Sequence, residues 1–380
     1  MRVYLPVTFV YLSEYAHLTL TQIGYIGTVA ALTIVAATIP GGYFADRLTR
    51  KAAMLTATIL MAISTALYVV APSFSGAILA TIFSFMGYAF YSGAGEALVH
   101  DTLVALKDED NYIRVMGRAQ SFGLVGNIVL VGLIPLTYAI DKRLPFIFGT
   151  IASLLFIGVV MRMVEPPRPV RAASHRNPLL DLYKSLRRLV GRHTLILFMA
   201  IGMVSGLYIA MSSFNTLVFK DLGLSPEFLG IMFALSSALA AVGGWHLFRL
   251  RRLSLVQYAA IDVGIATGFL MIVGLSRNLP IAIIAFIINM SFWRLRKIMY
   301  QDHLLRRFSD GHNKATLIST LGFFENINAI WVPFGFVAAI TALGFYNGYA
   351  LVGATAMVSI SIAFIMGFAA LRSAPKVAVK

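Results

Sequence analysis

Three stretches of this chain, Gly24 to Ile39, Leu55 to Val70 and Val352 to Leu371, contain no charged residue. A bilayer crossing takes about 20 mostly apolar residues, so repeated windows of this kind restrict the chain to folds that lipid can solvate. Composition agrees: of 380 residues 59% are apolar and 12% charged, where water-soluble domains carry roughly 25% charged residues. The mean hydropathy is +0.81. No secretory signal peptide is expected, because the apolar start runs on to a polar turn without a small-residue cleavage site.

Apolar runs read against Gly, Pro and charge clusters place spans near 1–17, 22–41, 52–71, 75–98, 114–138, 143–163, 194–219, 226–248, 254–275, 279–303, 313–340 and 345–372. Each isolated span must satisfy its own backbone hydrogen bonds, and the period-2 alternation of a membrane barrel is missing, so the expected class is all-α. The first span is short. As a helix, Met1 to His17 measures about 25 Å, less than a hydrocarbon core of about 30 Å, so either Arg2 snorkels to the inner surface or the natural protein begins further upstream.

Charge placement orients the spans. If the turn after the second is cytoplasmic, the cytoplasmic connections and C-terminus hold 23 of the 31 Lys and Arg, and the outer turns hold four: Lys142, Arg143, Lys220 and Arg277. That asymmetry puts both termini in the cytoplasm and accounts for the +15 net charge without nucleic acid. The connection 164–193 opens with Pro166, Pro167 and Pro169, then spaces Leu179, Leu182, Leu186 and Leu189 helically among Lys and Arg. It reads as an amphipathic helix on the anionic inner leaflet. The expected domains are a six-helix bundle over 1–165, a cytoplasmic linker over 166–193 and a second six-helix bundle over 194–380.

The two halves repeat. Gly41-Gly42-Tyr43 matches Gly243-Gly244-Trp245 and Phe90-Tyr91 matches Phe292-Trp293, both at an offset of 202, while Leu18 to Thr21 matches Leu222 to Ser225 at 204. Duplicated bundles suit a transporter with a site near mid-membrane.

Between spans two and three, in a turn of about ten residues, stands Gly42-Tyr-Phe-Ala-Asp46-Arg47-Leu-Thr-Arg50-Lys51. It resembles the signature G-x-L-A-D-R-x-G-R-K of the major facilitator superfamily, with Phe44 in place of Leu and Thr49 in place of Gly. Tyr4-Leu-Pro6 with Tyr11, Ser92 to Leu98 with Asp101, and Asn313 to Ser319 are also similar to bacterial members, so the likeness covers essentially the whole chain. The resemblance implies twelve transmembrane helices in two pseudo-symmetric six-helix bundles. It also implies an inner gate built from Gly42, Asp46, Arg47, Arg50 and Lys51, with Asp101 at the end of span four as the acid that pairs with the arginines. The span-four pattern of the drug/proton antiporters is incomplete here: Leu79 and Gly87 match, but Phe83 and Met86 replace its Arg and Gln.

An ionisable group in hydrocarbon costs at least about 2.5–3.5 kcal/mol on insertion scales, so each one is a candidate for function. Glu325 lies about twelve residues into span eleven with Asn326 and Asn328 beside it. It either serves a cavity in proton or substrate binding or pairs structurally with a neighbouring helix. Glu96 and His100-Asp101 end span four, and Asp302-His303 end span ten, as proton relays or as solvated helix ends. In span ten Arg294 and Lys297 share a face at i,i+3, and as cavity cations they would favour an anionic or carboxylate-bearing solute. Asp262 and Glu14 are read as belonging to a peripheral helix and to the outer interface.

The function expected is secondary active transport of a small solute by alternating access, proton-coupled, with export of drug-like or organic-anion compounds as one form. The alternatives are an uncoupled facilitator, an intramembrane enzyme using His100 or His303, and a non-transporting sensor. Adjacent helical residues point about 100° apart, which works against an enzymatic His-Asp pair, and no G-x-S-x-G occurs. With no Cys and no metal-ligand His spacing, neither a metal nor any other cofactor is expected. The expected partners are the solute, protons and lipid. The chain is expected to work as a monomer in the bacterial inner membrane.

Overall fold

A computed structural model describes residues 3–47, 49–166, 192–245, 252–308 and 314–373. The described residues form eleven α-helices: α1 (Leu5–Glu14), α2 (Leu20–Arg47), α3 (Arg50–Val70), α4 (Phe74–Ala105), α5 (Tyr112–Leu133), α6 (Leu144–Arg162), α7 (Arg192–Asp221), α8 (Leu229–Trp245), α9 (Leu255–Ser276), α10 (Leu279–Phe308) and α11 (Lys314–Ser373). Ten are long and apolar enough to cross a membrane. The last of these is two crossings in one, because α11 breaks its helical geometry at Gly344 (φ 78°, ψ 171°), a conformation glycine adopts without a Cβ penalty. With the short α1 in the place of the first span, the described helices fit a twelve-span fold. The amphipathic helix expected over 164–193, and Arg2, lie largely outside the described residues.

Local chemistry sets the helix starts. Thr49 caps α3 by accepting from the Ala52 N–H at 2.9 Å, and Ser73 caps α4 through Gly76 N–H at 3.2 Å. Ser254 and Gln257 form a reciprocal capping box at the start of α9. The turn expected over 42–51 is shorter than the sequence suggested. α2 stays helical through Arg47 and α3 starts at Arg50, because Thr49, standing where the signature has Gly, supplies a cap rather than a flexible link.

The chain divides into two compact units: Met1–His175 with Ser225–Ala234, and Arg176–Leu224 with Leu235–Lys380. In the first, α3 packs on α4 and α6, and α2 packs on α4. The ten-residue α1 is only about 15 Å long, yet Val7, Val10 and Tyr11 are fully buried. Tyr11 gives its hydroxyl hydrogen to the Tyr68 carbonyl at 2.7 Å, and Tyr4, Tyr11 and Tyr68 surround Phe146. In the second unit α7 packs most extensively on α11, and α9 packs on α10 and α11. Large apolar side chains such as Phe122, Leu155 and Ile365 are exposed, as expected of helices whose solvent is acyl chains.

Candidate functional site

The polar centre of the second unit is Arg296 on α10. Its guanidinium is 1% exposed and the Asp262 carboxylate opposite it, on α9, is fully buried. Nε donates to both Asp262 oxygens, at 3.2 Å and 3.1 Å. Nη2 donates to Asp262 Oδ2 at 2.9 Å and to the Ile201 carbonyl at 3.1 Å. Nη1 donates to Ser205 Oγ on α7 and faces Glu325 Oε1 on α11 at 3.5 Å. Every guanidinium N–H therefore has an acceptor, which an arginine needs in order to stay charged and buried. Ser205 relays the network by donating to Glu325 Oε1 at 3.0 Å, and Tyr300 donates to Asp262 Oδ2 at 2.9 Å. Rings of Tyr208, Trp293 and Tyr300 lie 5.8, 5.4 and 5.1 Å from the guanidinium carbon, within cation–π range.

Close helix approach makes this meeting possible. A Cβ built on Gly202 or Gly206 would stand 2.5 Å from the Phe324 carbonyl or 2.7 Å from the Asn328 carbonyl. The pair is a small-xxx-small contact through which α7 seats against α11 and sets Ser205 beside Glu325. At 1.5 Å per residue the four network positions lie about 10–20 Å from those helix ends that alternate crossing puts on one face, so they are inside a core of about 30 Å.

The remaining candidates of this unit are placed as follows. Arg294 and Lys297 are exposed. A helix that points Arg296 inward turns them out of the network. Asn328 is buried and donates to the Phe324 carbonyl one turn back at 2.8 Å, while Asn326 is half-buried. Asp302 pairs with Arg306 at 3.0 Å. Asp262, read as peripheral, is the arginine's main partner. The available signal was a lone acid in span nine next to a surplus of cations in span ten. A cavity of about 260 Å³ beside Met203, Leu207, Trp331 and Phe336 has no ionisable group in its wall, so the polar network is the candidate site.

In the first unit the signature residues Gly42, Asp46 and Arg47 end α2; their side chains, and that of Glu96, lie outside the described residues. Arg50 Nε stands 3.5 Å from Asp101 Oδ2. Glu165, just beyond α6, receives the Arg50 N–H at 2.9 Å and the Lys51 N–H at 2.7 Å, and Lys51 Nζ donates to the Met161 carbonyl at 2.7 Å. A carboxylate on the first N–H groups of α3 answers the helix dipole and offsets the two cations there. The sequence reading missed Glu165, an acid at the far end of span six. His100 Nδ1 lies 3.6 Å from Asp101, too far for a hydrogen bond. Lys142 and Tyr138 both meet Glu14 Oε2, at 2.9 and 3.0 Å. Among the described residues no three His, Asp or Glu gather as metal ligands.

Residues 1–333 match the family described as Major Facilitator Superfamily. A mutant form of the nucleoside transporter NupG is similar at TM-score 0.81 and 13% identity, over 97% of this chain and 96% of that one. A peptide transporter POT mutant is similar at 0.74 and 14%, over 98% and 92%. A bacterial homolog of the human lysosomal transporter Spinster is similar at 0.68 and 16%, over 98% and 93%. At these identities the likeness carries the fold. No curated protein matches in sequence.

Proposed function

We propose, from the premise that the chain belongs to the Major Facilitator Superfamily and is a multi-pass membrane transporter of small molecules rather than an enzyme, that it is a proton-coupled secondary transporter in which Glu325 carries the proton. The observation behind this reading is the geometry of Glu325. Its Oε1 is held by Ser205 at 3.0 Å and Arg296 at 3.5 Å, yet 14% of its side chain stays accessible. With both carboxylates ionised, the Asp262, Arg296 and Glu325 group carries one surplus negative charge deep in the membrane, and a proton on Glu325 removes it. The chain works by alternating access in a bacterial inner membrane with both termini inside, and the signature residues with Asp101 form the inner gate. The 2.3 kcal/mol per charge per 100 mV available from the membrane potential drives accumulation.

The test is Glu325→Gln in proteoliposomes under an imposed pH gradient. Loss of accumulation above equilibrium, with exchange retained, supports the reading. Accumulation unchanged from wild type removes Glu325 from the coupling, and a wild type that only equilibrates its solute makes the chain an uncoupled facilitator.

A further inference from the structure

The apolar cavity beside α7 lies between Met203 and Leu207 on that helix and the two crossings of α11 on either side of Gly344. Its floor is Leu207, Phe336 and Ile360, all buried. Trp331 and Gly335 on the first crossing and Leu351, Thr355 and Ser359 on the second form an exposed rim. The wall from Leu351 to Ile360 is about 13 Å long at 1.5 Å per residue. Spread over that length, the 260 Å³ leaves a cross-section of about 20 Å², the width of one hydrocarbon chain. This wall starts about 10 Å from the bend at Gly344 and ends about 24 Å from it, which places the cavity at hydrocarbon depth.

The wall offers a polar ligand nothing to hold. Thr355 donates to the Leu351 and Val352 carbonyls at 2.8 and 3.3 Å, and Ser359 to the Ala356 carbonyl at 3.4 Å, so both hydroxyl hydrogens are spent on their own helix. Outside the rim the surface stays apolar, with Phe334, Val358 and Ile362 exposed, and lipid solvates that surface. An empty apolar hollow forfeits the packing contacts of its lining. A groove closed below, one chain wide and continuous with a lipid-facing surface is therefore filled by what lies at its mouth. We infer that it is a binding site for one acyl chain of a membrane phospholipid, which it recognises by the tail and not by the headgroup. Val332 in the groove wall is also the side chain that a Cβ built on Gly206 would meet at 2.9 Å. A bound chain thus braces the contact of α7 with α11 that sets Ser205 beside Glu325. The site stands whether or not Glu325 carries the proton.

The test titrates the lipid-stripped full chain in detergent with phosphatidylethanolamine or phosphatidylglycerol carrying brominated acyl chains, which quench tryptophan on contact. Trp331 on the rim is the reporter, its share of the emission isolated by difference against Trp331→Phe. Gly335→Leu is the blocking variant. A Cβ there meets nothing within 4 Å, so the new side chain enters the open groove without displacing a neighbour, and helix propensity favours it. Ala354→Leu adds bulk at an exposed position of the second crossing that does not line the groove. Quenching of the wild type is expected to saturate near one lipid per chain, equally for both headgroups. The apparent affinity should be about ten-fold weaker in Gly335→Leu and unchanged in Ala354→Leu. Ala356→Leu, also in the groove wall, repeats the block should Gly335→Leu fold poorly. Quenching that rises with lipid and never saturates, a strong preference for one headgroup, or an affinity that survives the blocking variants overturns the inference and leaves the groove to ordinary exchange with bulk lipid.

Discussion

Asp262 and Glu325 share one arginine but differ in what their loss leaves behind. Asp262→Asn strands a buried guanidinium without its bidentate partner, and breaking a buried ion pair from one side typically costs about 3–5 kcal/mol. Glu325→Gln keeps an amide oxygen for Ser205 at a partly accessible site and should cost clearly less. Thermal unfolding of the two variants in detergent checks the order, and equal losses would mean that Glu325 belongs to the structural pair. In the turn before α6, hydrogen bonds from the Arg143 side chain and N–H hold the Asp141 carboxyl below its ordinary range. The small stabilisation they give is present above the ordinary carboxylate range and fades as pH falls through the lowered value. Asp141→Asn should flatten that acid dependence, read as amide exchange at Leu144. Glu325 was legible in the sequence because one acid in an apolar span has few explanations. Which of Arg294, Arg296 and Lys297 turns inward was not, since three cations within four residues cover most of a helix circumference and only packing chooses among them.

Between elements, the contact of α7 with α11 depends on the absence of two side chains. Gly206→Ala drives a methyl into backbone at 2.7 Å, where the neighbour cannot rotate away, and should lower the melting temperature or abolish folding. Gly264→Ala on α9 meets nothing within 4 Å and should be neutral, or stabilising by up to about 1 kcal/mol from helix propensity. If the two variants melt alike, the close approach is not what holds α11. At α3, Glu165→Gln should leave the helix in place but weaken its start by about 0.5–2 kcal/mol, the usual size of a capping loss. Faster hydrogen exchange at the Arg50 and Lys51 amides would register that weakening. The helices were largely legible from apolar runs. The extension of α2 through Gly41 and Gly42 was not, because glycines next to a proline usually mark a break and here the chain continues helically past them. Glu165 was hidden for a related reason: its partners are main-chain N–H groups 115 and 114 residues away, and sequence patterns do not register those.

For the molecule as a whole, the twelve crossings could be counted from sequence because each requires a run of apolar residues, and the ends of α1 and the bend at Gly344 mark where that count needs geometry. The absence of cysteine makes the transport cycle directly measurable. Asn326→Cys puts one thiol next to the proposed proton carrier, on a half-buried position. A membrane-impermeant maleimide applied to right-side-out and inside-out vesicles should modify this cysteine from both sides, with the balance between sides shifting as pH changes. Modification from one side alone under every condition would contradict alternating access at this depth.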